Sequence, residues 1–340
     1  MKPNPTRILQ RLLILGAAWL LTPSAMAFQA GWRQMNVAGP TPAAAATTVA
    51  LYYPTQAPAR SMAMGPFTVN VAIHGAPEPT VKGLIVLSHG TGGSELGHTS
   101  LAEALARHGY LVAALRHPGD NWQDRSMLLE HPTEYFSERP RQVTRLIDAL
   151  LRDPPWSERI ARDDRGPKVG VLGHSAGGYT VLALAGGQAD LSRIATHCQA
   201  RRADDPIFCG TRDAPPAQAP SSAESVADSR VRAVVALAPL GVMFTAASLA
   251  KVQVPVVIYE AQADRWLVPR FHAAWIAQNL PGAELRRIPN AWHFAFMDTP
   301  GTAINTEDGD IRADPPGFER AALLKQLADE LPAFFDRALR

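Results

Sequence analysis

The chain has 340 residues, 46% of them hydrophobic and 19% charged, which places it among soluble globular proteins with enough apolar residues for one large α/β domain. Its formal charge of +2 comes from 33 Lys and Arg against 31 Asp and Glu. Three of the basic residues, Lys2, Arg7 and Arg11, fall within residues 1–27, so the remainder is close to neutral and carries no basic run or aromatic pattern suited to nucleic acid.

Those three cations form the n-region of an export signal, followed by an apolar run from Leu12 to Leu21 and an A-x-A cleavage site at Ala25-Met26-Ala27. A run of about ten residues is too short for a spanning helix, which needs about 20. No cysteine follows it to carry a lipid, so no stable membrane anchor is expected. The mature chain is expected to begin near Phe28, in the periplasm or outside the cell.

Residues 28–80 look irregular apart from two strands, "TTVALYYP" (47–54) and the alternating "FTVNVAIHG" (67–75), which suit an antiparallel edge. "KGLIVLSHG" (82–90) is a continuous apolar run of the buried-strand kind, and "SLAEALARHGY" (100–110) a helix ending at Gly109. "YLVAALRHPG" (110–119) is the next strand. Residues 120–138 show no firm period, and "PRQVTRLIDALL" (140–151) predicts a helix with Pro140 in its first turn. "KVGVLG" (168–173) then reads as a strand and "YTVLALAG" (179–186) as a helix. "VRAVVALAP" (231–239) and "VPVVIYEA" (254–261) are buried strands, with "SLAKV" between them a helix candidate. "FHAAWIAQNL" (271–280) is a helix, "AELRRIPN" (283–290) the last strand, and 317–339 the closing helix.

From residue 82 onward strands and helices alternate, which predicts a mainly parallel, doubly wound sheet with helices on both faces. The Pro-rich stretch 187–230 interrupts the alternation and reads as an insertion without regular elements, a candidate cap. It holds both cysteines, Cys198 and Cys209. In an exported chain this pair reads as a disulfide closing a short loop, worth about 3 kcal/mol in chain entropy. A zinc site is the weaker alternative, because only His197 lies nearby.

Between the 168–173 strand and the following helix stands Gly173-His174-Ser175-Ala176-Gly177-Gly178. Chance places a G-x-S-x-G in roughly one chain in ten of this length, but a strand before and a helix after it make Ser175 a candidate nucleophile. Serine needs a base, and the base needs an orienting acid, in the chain order Ser, acid, His. His197 falls in the insertion and His272 inside a predicted helix. His293 follows the last strand and is the candidate base. Asp264, just past the 254–261 strand, is the candidate acid, ahead of Glu260, still in that strand, and Asp298, too close behind His293. The oxyanion donors expected are the N–H of Ala176 and that of Thr91 in the strand-end loop "LSHGTGG" (87–93). Trp266, Trp292, Phe294, Phe296, Met243 and Phe244 flank these loops, as pocket lining or as core beneath them.

Together "LSHGTGG", "GHSAGG", "VPVVIYEAQADRWLVP" and "NAWHFAF" resemble the α/β-hydrolase superfamily. Within it the chain is similar, over about residues 45–335, to the predicted exported dienelactone-hydrolase group related to platelet-activating-factor acetylhydrolases. The resemblance implies an α/β-hydrolase fold and a serine carboxylester hydrolase without a cofactor, acting on a small-molecule ester. By motif it assigns Ser175 as nucleophile, Asp264 as acid, His293 as base, and Thr91 and Ala176 as oxyanion donors. Dienelactone hydrolase proper uses cysteine where this chain has serine, so the dienelactone substrate is not inherited. The acetylhydrolases carry their acid one strand earlier, where "ALAPLG" (236–241) has none. A serine peptidase or amidase on the same scaffold, and an exported binding protein without catalysis, are the rival expectations.

Overall fold

The computed structural model describes residues 28–210 and 224–340. The export segment expected over 1–27 lies outside the described residues, as does the 211–223 part of the expected insertion. In chain order the main strands are β1 (Gln29–Val37), β2 (Thr47–Thr55), β3 (Arg60–Met64), β4 (Phe67–Ile73), β5 (Leu84–Ser88), β6 (Leu111–Arg116), β7 (Val169–His174), β8 (Val231–Leu237), β9 (Val256–Ala261) and β10 (Glu284–Ile288). They form one sheet in the order β10-β9-β8-β7-β5-β6-β2-β1-β4-β3. From β6 to β10 every pairing is parallel. The β2 strand joins β6 antiparallel, and β1 joins β2 the same way.

The longer helices are α1 (Thr99–Arg107), α2 (Tyr135–Arg152), α3 (Ala176–Leu184), α4 (Ser192–Arg201), α5 (Ala273–Asn279) and α6 (Arg320–Ala338). Along each parallel strand alternate side chains enter different cores. Leu84 and Val86 of β5 pack with α2 and α3, whereas Ile85 and Leu87 pack with α1 and α6. Covering both faces explains why these strands read as unbroken apolar runs.

The sheet also departs from the expected pattern. The supposedly irregular N-terminal region contains β1, paired with β2 along its whole length from Gln29↔Thr55 to Val37↔Thr47. Its apolar positions are diluted by Gly31, Arg33 and Gln34, so no alternation is visible. Gly31 is where the Tyr53 ring lies, 2.3 Å from a Cβ placed there, and Arg33 lies over the Tyr53 ring at 5.1 Å. Helix α2 starts five residues before Pro140, which therefore sits in its interior. Proline removes the N–H that would bond the carbonyl of Phe136; the Tyr179 hydroxyl donates to that carbonyl instead, at 3.0 Å. The expected irregular insertion contains α4 and a short helix at Pro206–Gly210, joined by the Cys198–Cys209 disulfide.

The order of the strands locates the site. After β5 the chain moves to β6 on one side, and after β7 it moves to β8 on the other. The C-terminal ends of β5 and β7 thus flank the point where the sheet switches direction, where open α/β sheets place their ligands. Helix α3 can reach this point because Gly177 and Gly178 in its first turn, and Gly173 near the end of β7, carry no side chains. A Cβ on Gly177 would lie 1.9 Å from the carbonyl oxygen of Ser88, and one on Gly173 would lie 2.1 Å from that of Gly177. Overpacking of this kind typically costs about 1–3 kcal/mol and more where backbone cannot yield. Gly177→Ala is expected to reach the upper end of that range, lowering the thermal midpoint by circular dichroism. Gly301→Ala, with nothing closer than 3.5 Å, should leave it in place; equal midpoints for the two variants would contradict this packing.

Candidate active site

Ser175 occupies the turn between β7 and α3 with φ 57° and ψ −118°, a region that side-chain-bearing residues rarely adopt. Strain of this kind, of order 1–3 kcal/mol, persists only where the surroundings over-determine it. Here the Ser175 N–H donates to Leu237 O at 3.0 Å, and its carbonyl accepts from Leu240 and Tyr179 at 3.0 and 3.2 Å. The turn is thereby held from the end of β8, and Ser175 itself remains partly exposed.

Asp264 and His293 meet from the loops after β9 and β10. The His293 Nδ1 lies 2.7 Å from Asp264 Oδ2, and both side chains are buried. Asp264 Oδ1 accepts the N–H groups of Trp266 and Leu267 at 2.8 and 2.9 Å, so the carboxylate is locked in one orientation. An acceptor at Nδ1 holds a ring proton there, so in the neutral ring Nε2 carries the lone pair. The His293 ring lies against that of His174, 4.9 Å between centroids, one residue from Ser175. The Trp266 ring stacks over it at 6.1 Å.

The lesser candidates are engaged elsewhere. Glu260 pairs with Arg287 at 3.4 Å, and burial pushes its carboxyl up. Asp298 accepts the Ser100 N–H at 2.9 Å in the first turn of α1, with burial raising its carboxyl to about 6. His272 caps α5 rather than lying inside a helix, because α5 begins only at Ala273. His197 and His272 both bond Asp205 Oδ2, at 2.9 and 3.0 Å. Burial opposes the charge on Asp205, but these two donors outweigh it and draw its carboxyl down to about 2. The cluster ties the insertion to the loop after β9. His197, Asp205 and Cys209 come within 4.8 Å, but the Cys209 sulfur is committed to the disulfide with Cys198.

The turn after β5 lies against the serine, since a Cβ on Gly90 would be 3.1 Å from that of Ser175. It carries Thr91, whose hydroxyl bonds the Tyr135 hydroxyl at 2.8 Å. Ala176 is the first residue of α3, so its N–H points out of a helix N-terminus, where negative charge is favoured. Of the aromatic and sulfur residues near the loops, Met243, Phe244 and Phe296 are wholly core. Trp266, Trp292 and Phe294 are half-buried around His293.

Several polar residues beside this site carry no sequence signal that singles them out. His174 donates from Nε2 to the carbonyl of His293 at 3.0 Å, while burial, then His293, hold its ring well below the usual histidine range. Arg139 and Asp120 form an ion pair with neither side chain exposed. A hint exists for Asp120 alone, an acid just past the C-terminal end of a buried strand.

Residues 85–307 match the Alpha/beta hydrolase family. The chain belongs to this family. A ferulic acid esterase from Streptomyces cinnamoneus superimposes with a TM-score of 0.61 at 22% identity, covering 93% of this chain and 92% of that one. A dienelactone hydrolase from Anabaena variabilis superimposes at 0.51 with 16% identity, over 92% and 100% of the two chains. At these identities the likeness is one of fold. In sequence, cutinases est1 and est2 of Thermobifida alba are 32% and 31% identical over 114 residues, 34% of this chain. The chain spans about a third of the length of these curated relatives, 34% and 33%. Among the described residues no helix is long and apolar enough to cross a membrane.

Proposed function

We propose that this member of the α/β-hydrolase family is an exported serine carboxylester hydrolase working through an acyl-enzyme. The observation that carries the proposal is the positive-φ serine at the switch point of the sheet, with an Asp264-bound histidine ring beside residue 174. His293 Nε2 takes the proton of Ser175 Oγ as that oxygen attacks the ester carbonyl. The N–H groups of Thr91 and Ala176 receive the tetrahedral oxyanion. His293, now cationic beside Asp264, gives its proton to the departing alcohol, and the acyl group remains on Ser175. A water deprotonated by His293 then releases the acid and restores the serine.

Relatives named as cutinases and an esterase favour an ester over an amide substrate. The export signal read over residues 1–27 and the disulfide agree with a periplasmic or secreted enzyme of one domain over 28–340, with 187–230 inserted. A fluorophosphonate probe tests the nucleophile directly. Stoichiometric labelling on the peptide containing Ser175, abolished by prior heating, is the expected result. Folded protein that takes no label would overturn the reading in favour of a non-catalytic binding protein.

A further inference from the structure

We infer that the buried Arg139–Asp120 pair is the positioning device of the oxyanion turn, setting the direction of the Thr91 N–H. The inference rests on the functional reading above, and it starts from where the hydrogen bonds of this pair go. A fully buried ion pair stabilises a fold no better than well-packed apolar residues would, because both charges must be desolvated. Its role is therefore read from its partners.

Three consecutive peptide groups make up the turn from His89 to Gly92, and each is held separately. The carbonyl of His89, in the first, accepts from Arg139 Nη2. The carbonyl of Gly90, in the second, accepts from His89 Nδ1 at 2.6 Å and from the Gly93 N–H at 3.1 Å. The N–H of Gly92, in the third, donates to Asp120 Oδ1 at 2.9 Å. A trans peptide is planar, with its N–H directed opposite its C=O. Holding the Gly90 carbonyl and both flanking peptides thus fixes where the Thr91 N–H points.

Arg139 and Asp120 hold the two outer peptides and are bonded to each other. The guanidinium reaches two further groups, Ser88 Oγ at the end of β5 and Thr180 Oγ1 on α3, both at 3.2 Å. One planar fork therefore connects the oxyanion turn, the strand before it and the helix that carries the Ala176 N–H. The His89 ring agrees with this arrangement. It donates from Nδ1 and accepts the His117 N–H at Nε2, at 3.1 Å, which only a neutral ring can do. Burial, and then the Arg139 charge, lower its pKa to about 4. The residues 135, 139 and 142 share one face of α2, which presents Tyr135 to Thr91, Arg139 to the turn and Gln142 to His117.

Arg139→Lys keeps the positive charge but replaces the fork with a single ammonium, which cannot serve His89 O, Asp120 and Thr180 together. With kcat expressed per site titrated by the fluorophosphonate, this variant is expected to lose about 10²-fold, the usual effect of one oxyanion donor. KM should stay within about threefold, because the turn acts on the transition state. Affinity for a trifluoromethyl ketone analogue, which forms a tetrahedral oxyanion on the serine, should fall in parallel with kcat. A folded Arg139→Lys enzyme with wild-type kcat per site and wild-type ketone affinity overturns the inference. Such a result would leave the nucleophile assignment standing, since labelling of the wild-type protein tests that separately. Should Arg139→Lys not fold, Asp120→Asn decides. It keeps an oxygen for Gly92 but loses the charge facing Arg139, and kcat and ketone affinity should drop together by about tenfold; no change in either overturns the inference.

Discussion

Ser175→Ala is expected to lower kcat for p-nitrophenyl acetate by about 10⁶-fold, the scale seen when the nucleophile of a serine triad is removed. On the proposed mechanism, no acyl-enzyme forms without the hydroxyl, and what remains is water attack on an ester held near the proposed oxyanion donors, about 10³–10⁴-fold above the reaction in water. The fold should survive. The Ser175 side chain makes no capping hydrogen bond to α3, and the turn is pinned by its own backbone through Leu237, Leu240 and Tyr179. Alanine has the same Cβ as serine and meets the same strain at φ 57°. The thermal midpoint should accordingly stay within a few degrees of wild type while turnover falls to that residual level and fluorophosphonate labelling vanishes. Substantial residual turnover in a purified, folded Ser175→Ala protein would show that another group carries the chemistry.

The parallel half of the sheet is legible in the sequence for a physical reason: strands buried on both faces are apolar along most of their length, as in 84–87 and 233–237, with the buried Arg232 paired to Asp163. The same physics hides β1, whose polar residues are accommodated by stacking of Arg33 on Tyr53 and by a glycine that gives way to a ring. In the insertion, α4 buries only Ile194 and Cys198, too few apolar positions to show a helical period.

At the candidate site, chain order and strand ends point to Ser175, Asp264 and His293, because loops at one edge of a parallel sheet converge whatever their separation in sequence. The Asp264–His293 bond joins residues 29 positions apart in this way. Arg139 was not legible. It precedes Pro140, which reads as a helix start, whereas α2 continues backward through the proline, with the Tyr179 hydroxyl of another helix satisfying the carbonyl that the proline leaves free. A residue one position outside the expected helix thus lies one turn inside the real one, facing the turn from His89 to Gly92. Its ion pair with Asp120 spans 19 residues with no local signature.

Asp264→Asn separates the candidate acid from its competitors by chemistry rather than position. The asparagine oxygen can still accept from Trp266 and Leu267, as Oδ1 does now at 2.8 and 2.9 Å. Its NH₂ group then faces His293 Nδ1, where a carboxylate oxygen stood at 2.7 Å. A donor opposite Nδ1 favours the tautomer with the proton on Nε2, and that nitrogen can no longer accept the serine proton. The expected loss in kcat is about 10⁴-fold with KM little changed, because the geometry persists while the base is in the wrong form. Glu260→Gln serves as the control, since that carboxyl faces Arg287 rather than His293. It should retain kcat within about threefold, in line with a change outside a catalytic hydrogen bond. If Glu260→Gln abolished turnover while Asp264→Asn kept more than about a tenth of it, the acid would be Glu260 and the loop after β9 would have to rearrange in solution to let it reach His293.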